Sequence, residues 1–145
     1  MTIQRMDHVG IVVDDLPAAI GFFAELGLEL LSEWSAEDGA VDRIVGLEDV
    51  RADAAMMQTP DGRGRIELVR FNSPPSPGRS DDAPSNAPGI RHLSFEVGDL
   101  DAALSGVRAH GGELVGEVES YGGSYRLCYA RGPAGVIVEL AERIG

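Results

Sequence analysis

His8-Val-Gly-Ile-Val-Val-Asp-Asp-Leu-Pro-Ala-Ala-Ile20, running on to Gly27-Leu-Glu-Leu-Leu-Ser-Glu33, is written a second time in this chain. The second copy is His92-Leu-Ser-Phe-Glu-Val-Gly-Asp-Leu-Asp-Ala-Ala-Leu104, running on to Gly111-Gly-Glu-Leu-Val-Gly-Glu117. No gap is needed to align them. His8 falls on His92, Asp15 on Asp99, Leu16 on Leu100, Gly27 on Gly111, Glu29 on Glu113 and Glu33 on Glu117. An internal repeat fixes architecture before any local signal does, because each copy is one supersecondary unit. Here each copy also carries a histidine at the same place, and equivalent histidines in two pseudo-symmetric halves can converge on one point.

Around the repeat, each copy reads as β-α-β-β-β. Met6 to Val13 is a short β-branched run ending at Asp14-Asp15, the mark of a strand. Asp15 is placed to cap a helix with Pro17 in its first turn. Leu16, Ile20, Phe23 and Leu26 fall at helical spacing, and Gly27 stops it. Leu28 to Trp34 follows as a strand, residues 36–50 as a loop or short helix, then strands over 52–59 and 65–71 across the turn residues Pro60 to Gly64. In the second copy, strands are expected over 90–97, 113–118, 125–131 and 136–141, with a helix from Asp99 to Ala109. Module one is therefore 1–71 and module two 90–145. Between them, residues 72–89 hold five prolines among serines, aspartates and glycines, which reads as a poorly packed connector. The expected fold is α+β: two tandem βαβββ modules whose curved sheets enclose a cleft, in one domain of 145 residues.

Four residues stand out for chemistry: His8, Glu67, His92 and Glu139. Each copy supplies a histidine from its first strand and a glutamate from its last. Glu139 is the sharpest case, inside Val136-Ile-Val-Glu-Leu140, where an unpaired carboxylate would cost several kcal/mol. Two imidazoles and two carboxylates suit a divalent transition metal: the carboxylates offset its charge, and four ligands leave positions open for a substrate. The set does not choose among Zn, Ni, Co, Mn and Fe. Glu96 shares a face with His92 but lies about 13 Å along the strand, too far to bind the same ion. His110, at the end of the second helix, and Cys128, with no histidine partner in any motif, read as surface and core residues respectively. Phe23, Trp34, Phe71, Tyr121, Tyr125, Tyr129, Met56 and Met57 are taken as core.

Bulk properties narrow the partners. A formal net charge of -12 argues against a phosphate backbone as partner, so no nucleic acid is expected. The single cysteine excludes an internal disulfide and fits a reducing compartment. The first residues lack the basic-then-apolar pattern of a signal peptide, and no apolar run approaches the ~18 residues of a membrane span. The expectation is a cytoplasmic protein that meets no membrane.

With these residues in place, the sequence resembles the vicinal oxygen chelate superfamily, which includes glyoxalase I, methylmalonyl-CoA epimerase, extradiol dioxygenases, and fosfomycin and bleomycin resistance proteins. The likeness covers nearly the whole chain through His8-Val-Gly-Ile, Gly89-Ile-Arg-His92-Leu-Ser-Phe-Glu-Val and Gly132-Pro-Ala-Gly-Val-Ile-Val-Glu139-Leu. It implies one divalent metal held by His8, Glu67, His92 and Glu139, within one chain or across a homodimer, since the family does both. The set is similar to that of bacterial glyoxalase I. Epimerases are similar in the flanks of both histidines but carry Gln where Glu67 stands. Val12 replaces an arginine typical of glutathione-using glyoxalases, which argues against glutathione. Each module has one histidine, unlike extradiol dioxygenases, which take both from one module. The implied function is that of a lyase or isomerase stabilising a metal-bound enolate of a small carbonyl or thioester substrate. Glu67 or Glu139 would be its catalytic base, and Glu67, beside Arg65 and Arg70, the one freer to leave the metal. The alternatives are a bleomycin- or fosfomycin-resistance-like protein that binds or modifies its ligand, and an extradiol-type dioxygenase. A coenzyme A thioester would need a basic patch drawn from Arg43, Arg51, Arg63, Arg65, Arg70, Arg79, Arg91, Arg126 and Arg131.

Overall fold

The computed structural model describes residues 1–78 and 81–145. The chain divides into two compact units, Met1–Gly78 and Arg79–Gly145.

In the first unit the order is β1 (Val9–Val12), α1 (Leu16–Leu26), β2 (Glu29–Ala36), α2 (Gly39–Val45), β3 (Arg51–Gln58) and β4 (Arg65–Ser73). The stretch read as a loop or short helix holds α2, capped by Asp38 and buried nowhere along its length. The sheet order is β1-β4-β3-β2, so the first strand pairs with the last, in parallel, while the other pairs are antiparallel. α1 starts because Asp15 stays extended and its carboxylate accepts from the Ala18 N–H at 3.0 Å. It stops because Gly27 takes a left-handed conformation, φ 112°, from which its N–H reaches back to Phe23 and Ala24. Leu16, Ala19, Phe22 and Phe23 of α1 are buried, and the helix packs on β2, β3 and β4. Phe22 is the core residue that the helical spacing of Leu16, Ile20, Phe23 and Leu26 left out. Its ring meets Phe23 edge-on, centroids 5.0 Å apart.

The second unit repeats the plan with β5 (His92–Val97), α3 (Leu100–Ala109), β6 (Glu113–Leu114), β7 (Glu119–Tyr121), β8 (Tyr125–Arg131) and β9 (Ile137–Arg143). β5 pairs in parallel with β9, β9 with β8, and both β6 and β7 line the far edge of β8. Asp99 caps α3 through the Ala102 N–H at 3.0 Å, and Glu142 adds a second acceptor for the Leu100 N–H at 2.9 Å. One expected strand is corrected. The run 113–118 is broken: β6 is only two residues, and β7, which was not foreseen, resumes pairing at Glu119. The chain leaves the ladder after the Val115 N–H bonds the Tyr129 carbonyl, and Gly116 begins the break.

The connector is better held than its composition suggests. Arg131 donates to the carbonyls of Asp81 (3.1 Å), Ala83 (3.0 Å) and Gly135 (3.2 Å). Gly135 has φ 75°, and a Cβ there would run into the Asp81 backbone. Gly135→Ala is therefore expected to lower stability by about 1–3 kcal/mol, measured as a urea midpoint shift, whereas Gly116→Ala, in open space, should stay within about 1 kcal/mol.

Candidate functional site

Strand alternation divides each sheet into a face under its helix and a face away from it. In the first unit Ile66 and Leu68 of β4, with Ala55 and Met57 opposite them, are buried, on the side where α1 packs. Glu67 and Val69 consequently lie on the other face. Parallel pairing sets Gly10 against Glu67; His8, two residues before Gly10, lies just outside the strand, a correction to its expected first-strand place, because regular structure begins only at Val9. In the second unit Val138, Leu140, Cys128 and Ala130 are buried beneath α3. His92, Ser94 and Glu96 share the opposite face with Glu139 and Tyr129, since Ser94 pairs with Glu139 and Glu139 with Tyr129. The two histidines thus stand at the same offset from the register pairs Gly10–Glu67 and Ser94–Glu139.

Local geometry differs between the pairs. His92 Nε2 lies 3.5 Å from Glu139 Oε1. Its Nδ1 lies 3.4 Å from the Tyr129 hydroxyl, and the two rings are 4.9 Å apart. His8 instead donates Nδ1–H to the Asp7 carboxylate at 2.7 Å. That hydrogen bond is the main reason the Asp7 carboxyl sits below its ordinary pKa, with Arg5 and Arg65 helping. Glu67 accepts no side-chain hydrogen bond among the described residues, and Arg65 beside it is drawn sideways by Gln58, Nε to Oε1, at 2.8 Å. Glu139 is 21% exposed and Glu67 is likewise half-buried, so both glutamates are reachable. Among the described residues no group of three His, Cys, Asp or Glu side chains gathers at one point.

Two expectations about the neighbourhood are corrected. Arg70 does not neighbour Glu67: it pairs in register with Asp53 on the α1 side. There it lines a groove of about 470 Å³ with Leu16, Pro17, Glu33, Ser35 and Asp53. Trp34 and Ala54 line the same groove. Several aromatics assigned to the core are not in it. Phe23 and Met57 are buried, but Trp34 is 38% and Tyr121 72% exposed, while Met56, Phe71, Tyr125 and Tyr129 are half-buried. They alternate onto the open faces, where Met56 pairs in register with Glu67 and Tyr129 with Glu139. Glu96 lies on the His92 face as expected and meets Arg143 at 3.7 Å. Of the described arginines, Arg65 and Arg131 lie on the open faces of their sheets and Arg70 and Arg126 on the helix faces; Arg79 lies outside the described residues. His110 caps the C-terminus of α3.

The sequence profile of the glyoxalase/bleomycin resistance protein/dioxygenase superfamily matches residues 5–140. The chain belongs to this superfamily. A glyoxalase family protein from Bacillus cereus is similar over 100% of this chain and 97% of its own, at 46% identity and a TM-score of 0.95. Glyoxalase I from Zea mays shares the fold at 20% identity and a TM-score of 0.66, over 97% of this chain and 45% of its own. An uncharacterised protein, YaeR, from Escherichia coli (strain K12) is 28% identical over 97% of this chain and 98% of its own. Members of the superfamily typically bind a divalent metal, and the residues here fit one: each unit offers one imidazole and one reachable carboxylate at matched positions. No helix among the described residues is long and apolar enough to cross a membrane.

Cys128 is 1% exposed, and burial pushes its thiol pKa up. A buried, protonated thiol is a poor nucleophile. Ellman's reagent at about pH 8 is expected to modify it only as fast as the protein opens, with full reaction in denaturant.

Proposed function

We propose that the protein is a divalent-metal-dependent lyase or isomerase of the glyoxalase or epimerase type, acting on a small carbonyl or thioester substrate. What carries this reading is the duplicated His/Glu pair: His8, just before β1, with Glu67, and His92 with Glu139, at the same offset from the register pairs Gly10–Glu67 and Ser94–Glu139. Two accidents at equivalent positions are far less economical than one shared purpose. The ligands would be His8, Glu67, His92 and Glu139, for Zn, Ni, Co, Mn or Fe, in a cytoplasmic homodimer. A bound divalent ion supplies Lewis acidity, which makes a C–H beside a carbonyl more acidic.

The chain's own groups divide the remaining work. Glu139 stays in place: it sits against His92 and is flanked in sequence by the buried Val138 and Leu140. Glu67 accepts no side-chain hydrogen bond among the described residues, so only its bond to the metal would have to yield for it to move toward a substrate proton. It is the better general base. The half-buried aromatics of the open faces, Phe71 and Tyr129 among them, provide apolar surface for the rest of a small substrate and limit access of water. Arg65, tied to Gln58, is the cation nearest Glu67 along β4. The dispersal of the described arginines over both faces favours a compact substrate over a coenzyme A thioester, whose phosphates need a concentrated basic patch.

Metal titration of the wild type and His92→Ala tests the ligand set: tight binding is expected only in the wild type, and equal weak binding in both would refute it. Glu67→Gln is expected to keep the metal and lose about 10²–10⁴ in turnover, while Glu139→Gln loses the metal. Turnover is read as α-proton exchange with deuterated solvent across 2-oxo hemithioacetals, acyl-CoA thioesters and small diketones, with and without chelator. Absence of metal-dependent exchange in every class would favour a ligand-sequestering protein.

A further inference from the structure

We propose that Asp7 is the positioning residue of His8, fixing its imidazole in the Nδ1–H form so that Nε2 carries the lone pair. The inference rests on His8 being a metal ligand, but its geometry stands alone. A carboxylate ionised at neutral pH can only accept, so the 2.7 Å contact from Asp7 Oδ2 to His8 Nδ1 defines which nitrogen bears the proton. The other Asp7 oxygen is taken by Arg5, whose Nη2 lies 2.9 Å from Oδ1. Arg5, Asp7 and His8 therefore form a short relay in which each end of the carboxylate is used.

The relay depends on where β1 begins. Side chains of consecutive residues in a strand point to opposite faces, so Asp7 and His8 could not meet inside the ladder. They meet because regular structure starts only at Val9. Exposure argues against a stabilising purpose: the Asp7 and Arg5 side chains are 49% and 71% accessible, and ion pairs so placed contribute little to folding. Orientation of a ring is a purpose they can serve. Histidines that ligate metals commonly donate their second nitrogen in this way, and the partner fixes ring orientation and raises ligand basicity. Among the described residues no carboxylate meets His92 Nδ1. That nitrogen faces a neutral phenol at 3.4 Å, a longer and weaker contact. The repeat therefore supplies two equivalent histidines but restrains them unequally.

Long-range ¹⁵N–¹H correlation of the metal-free full chain at about pH 8, where imidazole is neutral, tests this directly. Wild type is expected to show His8 as the Nδ1–H tautomer. Asp7→Ala should move it toward the Nε2–H form that an unrestrained imidazole favours, and Asp7→Asn, which keeps a carbonyl acceptor, should restore part of the Nδ1–H signal. In cobalt titrations Asp7→Ala should bind about 10–100-fold more weakly than wild type. A wild-type His8 in the Nε2–H form, or a tautomer unchanged in Asp7→Ala, overturns the proposal. If the tautomer responds but wild type fails to bind cobalt, the positioning role is upheld and the ligand role of His8 fails instead.

Discussion

Parallel pairing of the first strand of each unit with its last is the constraint on which everything else in this molecule depends. β1 pairs with β4 and β5 with β9, and each register is held by a helix that must bury one face of the sheet. The β4 side chains Ile66 and Leu68 and the β9 side chains Val138 and Leu140 are all buried. Each contributes roughly 1.5–3 kcal/mol by leaving water. A slip of one residue would exchange faces along the whole strand. It would put Glu67 or Glu139 under the helix, unpaired, at a cost of several kcal/mol. The hydrophobic effect thus fixes, indirectly, that the two glutamates and His92 stand on open faces.

The same logic separates what could be read from the sequence from what could not. The repeat was legible because capping and core positions recur gap-free: Asp15 and Asp99 both cap helices, and Gly27 and Gly111 both take positive φ. The α+β class follows from these, and the resemblance to the superfamily rests on the motifs around His8, His92 and Glu139. The break between β6 and β7 was not read from the sequence, because within Glu113 to Val118 only Gly116 marks it. Nor was the fate of the aromatics. Trp34 and Tyr129 look like core residues by composition, but alternation against Glu33, Ser35 and Cys128 puts them outward. Arg70 was misplaced for a related reason: two arginines near one glutamate, at odd and even offsets, belong to different faces. The grip of Arg131 on Asp81 and Ala83 is a contact across some fifty residues, with no local signature.

A chain of formal net charge -12 must also place its carboxylates where they do not oppose folding. Asp15, Asp38 and Asp99 terminate helices, where backbone N–H groups and the positive dipole end receive them. Asp53, Asp61 and Asp101 are held below the ordinary carboxylate pKa, first by Ser35, Thr59 and Arg126 respectively. A depressed carboxylate contributes its stability above the unfolded value, here 3.8, and loses it as pH falls through the folded one. The loss therefore belongs to strongly acidic solution. All three groups are exposed, so screening keeps each contribution small. Acidic charge is in this way absorbed locally, at caps, turns and single partners, rather than concentrated.

That distribution sharpens the contrast at the histidines. Elsewhere the aspartates serve the backbone or a neighbouring polar side chain. Asp7 alone among those just described serves an imidazole, and does so in a segment that has no hydrogen-bonded ladder of its own. Duplication would produce two halves alike in fold, and fold is indeed conserved between the units down to the register of Gly10 against Glu67 and Ser94 against Glu139. The differences lie in what touches the side chains: a carboxylate behind His8 and a phenol beside His92, and a glutamate without a side-chain hydrogen bond in one unit and one against its histidine in the other. The inequality between the halves arises in residues that the repeat does not constrain.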